Sequence, residues 1–238
     1  MDLKEEQALG VGVDQHWYYR SKSAALLRLV GPLEPRKILD VGAGSGFFSK
    51  YVLRHTHADS AWCIDPYYPQ ESDDCQGDKS IHYRHECNGT DADLVLMMDV
   101  LEHVEDDLGL LNDYIDKVPA GTRFLVTVPA FQFLWSGHDV FLGHYRRYTL
   151  SAVTELMARG GLVVEQRAYY FGFVFPLAAA FRLFGRLLGK DTDAPHSDLK
   201  QHGAITNGLL SLLCRAEIPF FRFNRLAGLS VFCLARKP

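Results

Sequence analysis

The sequence predicts an α/β fold: a mostly parallel sheet with an antiparallel last strand, helices on both faces, and a helical insertion before that last strand. Three observations predict it. Short continuous apolar runs at residues 94–98 and 124–128 read as central strands buried on both faces. Helix-period segments alternate with such strands, the pattern of a parallel sheet. One strand runs straight into three glycines at alternate positions, Gly42, Gly44 and Gly46, and from there into a helix.

In chain order, residues 21–31 read as a helix with Ala24, Leu27 and Val30 on its buried side, broken by Pro32 and Pro35. Residues 36–41 form the strand ahead of the glycines, and residues 46–54 the helix after them. A second strand at 61–64 closes on Asp65, and Pro66 and Pro69 open a polar loop. Residues 81–84 read as a short third strand. After the apolar run at 94–98, residues 104–117 suit a helix, with Leu108, Leu111 and Ile115 at helical spacing. The strand at 124–128 ends at Pro129. Thr149 or Ser151 caps a helix over 149–159, and Gly160 and Gly161 end it. Residues 162–170 and 229–235 are two further strands. The organisation is one domain over 1–238. It comprises an N-terminal lid or helix (1–35), a core (36–167), an apolar basic insertion (168–226) and the last strand (227–238).

At 238 residues, 47% hydrophobic and 23% charged, the chain has ordinary globular composition, which excludes a disordered or fibrous protein. The net charge of −4 hides a split. Residues 65–116 carry 15 acids and 2 bases, a net of −13, whereas residues 141–238 carry 6 acids and 13 bases, a net of +7. The acidic half speaks against a general nucleic-acid binder. The start, MDLKEEQ, has no apolar run and does not read as a signal peptide. The uncharged stretch at 168–181 has 14 residues, short of the roughly 20 a membrane-spanning helix needs. Five cysteines, an odd number without CxxC pairing, suit a cytoplasmic protein with free thiols. Cys75, His82, His85 and Cys87 fall close together, but their spacing fits no common zinc pattern. They read as a short strand flanked by a polar loop.

The glycine loop carries the most information. Its spacing is GxGxG, with Phe47 where the dinucleotide fingerprint GxGxxG has its last glycine. Asp40, two residues before Gly42, disfavours a pyrophosphate and favours a cationic ligand. Asp65 stands at the next strand end, where a carboxylate can accept from both hydroxyls of a ribose. Asp99 ends the following long strand and begins Asp99-Val100-Leu101-Glu102-His103. Three strand ends thus offer acids around one crevice. DVGAGSG, the Asp65 strand end and DLVLMMDVLEHVEDD together resemble the class I S-adenosylmethionine-dependent methyltransferases over residues 36–165. The resemblance implies a Rossmann-like methyltransferase sheet with S-adenosylmethionine as cofactor. By position, Gly42, Gly44 and Gly46 would line its methionine part, with Asp40 near the ammonium group. Asp65 would bind the ribose, with Pro66 beside it, and Asp99 and Val100 would lie under the sulfonium. Glu86, Asn88 and Asp91 are all open as the adenine-side residue. In some relatives with an LEHV-like stretch the Glu and His help hold a divalent metal. In this chain Glu102 and His103 read as a helix cap and a packing histidine, and no metal ligand is assigned.

A second constellation follows the strand at 124–128. The loop 131–149 packs His138, Asp139, His144, Arg146 and Arg147 among aromatic residues, and should overhang the same crevice. Its pattern, W-S-x-H-D-x-x-x-G-H-x-R-R-Y-T, resembles a bacterial subgroup of these methyltransferases. A hydroxyl nucleophile needs a base, which His138 with Asp139, or His144, would supply. Arg146 or Arg147 would clamp a carboxylate or phosphate. The plainer reading is that these polar groups tie down a long loop. Trp17 and Tyr18 would either fold over the site, touching the acceptor, or pack on the sheet edge. In the insertion, Arg182, Arg186 and Lys190 recur at i, i+4 and i+8 on an apolar helix. Such a helix meets a membrane surface, roofs a lipid-binding pocket, covers the sheet or forms a dimer contact.

The expected activity is in-line methyl transfer to oxygen of a small or lipid-like acceptor, anionic by the charge of the basic half. The alternatives are a non-catalytic cofactor-binding protein or another enzyme on this fold, such as an aminopropyl transferase. No nucleic-acid partner is expected, peripheral membrane contact through 168–226 is open, and so are monomer and homodimer.

Overall fold

The computed structural model describes residues 15–188 and 203–238. Lys190, the third residue of the basic stripe, lies outside them. Eight strands form one sheet in the order β3-β4-β2-β1-β5-β6-β8-β7. β1 (Lys37–Val41) pairs in parallel with β2 (Ser60–Ile64) and β5 (Leu94–Met98). β4 (Lys79–Arg84) joins β2 and β6 (Arg123–Pro129) joins β5, both in parallel. The last strand, β8 (Ser230–Arg236), runs antiparallel between β6 and β7 (Val163–Tyr170), as expected. All five residues of β5 are buried, which explains its uninterrupted apolar run.

The helices split between two faces. On one, α1 (Trp17–Val30), α2 (Phe47–His55) and α7 (Ala204–Phe221) pack around Leu26, Val52, Leu53 and Phe221. On the other, α3 (Asp107–Asp116) and α5 (Leu150–Arg159) pack around Leu111, Ile115, Val153 and Met157. α4 (Gly137–Leu142) lies in the loop after β6, and α6 (Phe175–Leu187) follows β7.

Three expectations are corrected. α1 begins at Trp17 rather than residue 21, and its buried apolar side is Ala25, Leu26, Leu29 and Val30, not Ala24 and Leu27. The buried polar residues Ser21, Lys22 and Ser23 mask its period. β3 (Ser72–Gln76), read as loop, is an almost wholly exposed strand that pairs antiparallel with β4 through a turn at Gly77. Its sequence, SDDCQ, has no apolar alternation. It exists because β4 offers an edge, and its charges suit an edge strand. The sequence reads α4 as part of a loop. Its six residues are too few to show a period, and a capping box of Ser136 and Asp139 holds it.

The Cys75 to Cys87 segment behaves as a strand beside a polar loop. Cys75 is exposed and Cys87 buried, His82 bonds Asp73, and His85 bonds the Tyr68 carbonyl.

Candidate functional site

The carboxyl ends of β1, β2, β5 and β6 open on one crevice. On its glycine side, the N–H groups of Gly42 and Ala43 donate to the Ile64 carbonyl at 2.7 and 3.2 Å, locking the loop to β2. Gly42 has φ +63°, and a Cβ there would lie 2.8 Å from Val100 Cγ2. Gly46 has φ +72°, and a Cβ there would lie 2.8 Å from the Tyr83 hydroxyl. Conformation and space both demand glycine at these positions.

Asp65 is buried at the end of β2. Its Oδ2 accepts from Gly44 N at 3.1 Å and its Oδ1 from Tyr67 N at 3.0 Å. Each oxygen keeps a further lone pair. Pro66, beside it, is exposed. Asp40 is also buried and accepts from Ser49 Oγ of α2 at 2.7 Å. Tyr68 is a residue that motif reading missed. Its buried hydroxyl has no hydrogen-bond partner, and burial, Cys63, Asp40 and Asp65 push its pKa far up. Of the three open adenine-side positions, Asp91 is removed: it pairs with Lys37 at the amino end of β1, the wrong edge of the sheet. Glu86 and Asn88 are exposed beyond β4.

Asp99 occupies the centre of the crevice with φ +55°, a left-handed conformation that Asp tolerates better than most residues. Thr127 Oγ1 donates to its Oδ1 at 3.1 Å. Its Oδ2 pairs with Lys22 Nζ, which reaches across from α1 and also bonds the Tyr18 hydroxyl at 3.1 Å. Burial opposes charge on both partners, but their mutual attraction wins. The Lys22 ammonium is held above its usual pKa and the Asp99 carboxyl below its own. Lys22 was not anticipated, because a lysine among serines in a helix reads as a solvated face.

The loop after β6 is tied by Asp139, which is fully buried. Its Oδ1 accepts from His144 Nδ1 at 2.9 Å and from Arg147 Nε at 2.7 Å. Its Oδ2 accepts from Ser136 N and Arg147 Nη2, both at 2.9 Å. Burial would raise the Asp139 pKa, but these donors hold it well below the usual range. Of the two histidines offered as the base, His144 is the one held to Asp139 through Nδ1. Arg147 spends its guanidinium on Asp139 in a bidentate pair rather than on a ligand. Arg146 turns away to Asp107, at 3.0 Å, and to the Glu105 carbonyl. Both arginines that the sequence offers as anion clamps thus have carboxylate partners within the protein.

The Tyr145 N–H donates to the Glu102 carbonyl at 2.7 Å, pinning this loop to the turn after β5. There, Glu102 is fully buried and neither carboxyl oxygen has a hydrogen-bond partner. Burial and the neighbouring Asp99 raise its pKa well above the usual range. The His103 and His144 rings meet edge to face, 4.6 Å between centroids.

A cavity of about 510 Å³ starts at Asp99 and Glu102 and runs beneath α6. Trp17 and Tyr18 stand in its wall and also pack on Phe171, at 5.7 and 5.2 Å, so they border the site and the core at once. His138, His144 and Arg147 line it, together with Leu134, Leu142, Leu177 and Phe181.

The chain matches a family model described as a methyltransferase domain over residues 15–167, more than half its length. No curated protein sequence matches it. Among solved structures, it is similar to an S-adenosylmethionine-dependent methyltransferase from Archaeoglobus fulgidus, with 14% identity and a TM-score of 0.52. That alignment covers 92% of this chain and 94% of the other. It is also similar to phosphoethanolamine N-methyltransferase 2 of Haemonchus contortus in complex with S-adenosyl-L-methionine. There the identity is 14% and the TM-score 0.54, over 91% of this chain and 52% of that one. The [4+2]-cyclase SpnF aligns equally well, at 14% identity and a TM-score of 0.55, over 92% of this chain and 80% of that one. The fold alone therefore does not name a reaction. The family match does, and the crevice agrees with it: buried acids and a glycine cradle suit a cationic nucleoside. The chain belongs to the methyltransferase-domain family and is a class I S-adenosylmethionine-dependent methyltransferase.

Proposed function

We propose that this enzyme methylates an oxygen of a lipid-like acceptor whose apolar part lies beneath α6. The observation that carries this reading is the cavity that leads from Asp99 between Leu134, Leu142, Leu177 and Phe181 to the outer surface. Its chemistry is apolar with a few polar groups near the reacting end, as expected of a small-molecule site.

The cofactor would lie across the glycine loop. Asp65 has lone pairs left for ribose hydroxyls, the loop turns tightly at Gly42 and Gly46 on positive φ, and Asp40 and Asp99 lie alongside. Bound there, S-adenosylmethionine supplies an electrophilic methyl group. The chain's task is to align the nucleophile with it and to take up the hydroxyl proton. His138, in the cavity wall, is the base in this reading. His144 is already committed through Nδ1 to Asp139 and is a positioning residue. Lys22 cancels the charge of Asp99, so the site does not repel an acceptor that carries an anionic group.

At the mouth of the cavity, α6 and α7 support a lipid source for the acceptor. Leu177, Phe181, Phe184 and Leu188 recur at helical spacing and are 64% to 75% exposed. Arg182 and Arg186 stand on the same helix, and Arg215, Arg222 and Arg225 on or just after α7. An apolar stripe with basic flanks suits the surface of an anionic bilayer. No described helix is long and apolar enough to cross a membrane.

The test is methyl transfer from labelled S-adenosylmethionine to hydroxyl acceptors of increasing alkyl length, presented in anionic vesicles. KM should fall as the chain lengthens, and His138→Ala should lower kcat about 10²- to 10⁴-fold with S-adenosylhomocysteine affinity unchanged. A preference for short polar acceptors, or unaltered turnover in His138→Ala, would count against the reading. Asp65→Ala should weaken S-adenosylhomocysteine binding at least about tenfold by calorimetry, since it removes charged hydrogen bonds to the ribose.

A further inference from the structure

α1, α2 and α7 meet on one face of the sheet, and between them lies a second groove of about 480 Å³. It shares no lining residue with the cavity beside Asp99. Each helix turns residues one turn apart toward it: Arg20 and Ala24 from α1, Lys50 and Arg54 from α2, Ser211 and Arg215 from α7. Arg20, Arg54 and Arg215 are exposed and Lys50 is half-buried. Among the described residues that line the groove, none is acidic.

The fold leaves most of this charge unanswered. Lys50 and Arg54 stand at i and i+4, where like charges repel. β3 offsets them in part: Asp74 pairs with Lys50 at 3.2 Å, and Gln76 accepts from Arg54 at 3.3 Å. No described residue bonds or pairs with the guanidinium of Arg20 or of Arg215. The hydroxyl groups give a second, independent sign. Ser23, which also lines the groove, is fully buried, and its Oγ has no hydrogen-bond partner. A serine inside a helix can return its hydroxyl to the carbonyl four residues back, and Ser23 does not. Ser211 Oγ, from the α7 side, is buried without a partner as well. Buried polar groups are almost always hydrogen-bonded, so two such donors beside four cations point to a bound acceptor.

We propose that this groove binds a phosphate group, carried by a small phosphorylated metabolite or by the headgroup of a lipid. The planar fork of arginine grips phosphate oxygens in pairs, and lysine adds a point charge. Ser23 and Ser211 supply neutral donors from the two helices that flank the groove. At neutral pH a phosphate monoester carries about two negative charges and three strong acceptor oxygens. That matches guanidinium groups and hydroxyls converging from three helices better than a single carboxylate does. α1 also carries Tyr18 and Lys22 to Asp99, so a ligand held between α1, α2 and α7 braces the helix that seats that carboxylate. The site stands independently of which acceptor the enzyme methylates.

The experiment is calorimetric titration of the full chain, saturated with S-adenosylhomocysteine so that the crevice is filled. The two probes are inorganic pyrophosphate and monomeric dihexanoyl phosphatidic acid. One equivalent of at least one probe should bind. Arg20→Ala combined with Arg215→Ala should weaken that binding at least about tenfold, and Ser23→Ala about two- to tenfold. Arg28→Ala, an exposed cation of α1 outside the groove, should leave it unchanged. The substituted arginines are exposed, so an unaltered melting midpoint checks that the variants are folded. Tighter binding of pyrophosphate assigns the groove to free phosphorylated metabolites, and tighter binding of the lipid assigns it to headgroups. Absence of saturable binding by either probe to the unsubstituted protein would overturn the site. So would binding that the double arginine variant leaves unchanged, or that Arg28→Ala weakens equally.

Discussion

The loop 136–149 and the α6–α7 cover flank the same cavity, but opposite forces hold them. The loop is fastened by polar bonds: Asp139 alone accepts from Ser136, His144 and Arg147. The cover is fastened on one face only. Cys214 and Phe221 are buried, and Glu217 accepts from the N–H groups of Gly172 and Phe173 at 2.8 and 3.3 Å. Its other face leaves Leu177, Phe181, Leu212 and Phe220 to the outside. Directional bonds set reacting groups to within fractions of an ångström. Apolar contact sets only distance from water, which suits a surface that must admit chains of varied shape.

The sharpest way to break this contrast is Arg147→Ala. It strands the buried Asp139 carboxylate, which costs about 3–5 kcal/mol. The melting midpoint should fall by roughly 6 °C or more, and calorimetric scanning checks it. If the midpoint holds, polar bonds do not fasten the loop. Next come neighbours on α7. Phe221→Ala should cost about 3–5 kcal/mol in denaturant unfolding, because Phe221 packs on Tyr170 and Phe232 inside the core. Phe220→Ala, two-thirds exposed, should change stability by no more than about 0.5 kcal/mol. Equal effects would deny the cover its two faces. A smaller effect is expected from Leu177→Asp with Phe181→Asp: unaltered melting, but weaker sedimentation with anionic vesicles and a KM for a lipid acceptor raised about tenfold. The mildest probe is thiol labelling. Burial pushes the Cys214 and Cys233 thiols up to about 12, and Cys63 and Cys87 are buried as well. At pH 8 a native protein should take up one equivalent of iodoacetamide, at Cys75, as read by mass spectrometry.

Much of the fold was legible because its signals are local. β1, β5 and β6 are continuous apolar runs, and the strand, glycine loop and helix at 37–55 carry their turn chemistry within a few residues. Where a strand depended on its neighbour, as β3 does on β4, there was no local signal to read. Within the site, Asp65 and the glycines stood where the motifs put them. The partners of the acids did not follow, because adjacency in sequence suggested His138 for Asp139, while the chain after α4 returns to set His144 Nδ1 2.9 Å from Asp139 Oδ1.

By itself, then, the sequence determined the core strands and their mostly parallel character, the glycine cradle, the acids at the strand ends and the presence of an apolar basic insertion. Each of these is written in period, composition or spacing over a short window. Only the tertiary structure decided that Lys22 neutralises Asp99 across 77 residues, that Asp139 belongs to His144 and Arg147, and that Glu102 faces two histidines with its oxygens unbonded. The physical reason is that charge pairing and desolvation depend on distance and burial in space, and the chain supplies neither until the sheet has formed and its loops have closed over its edge.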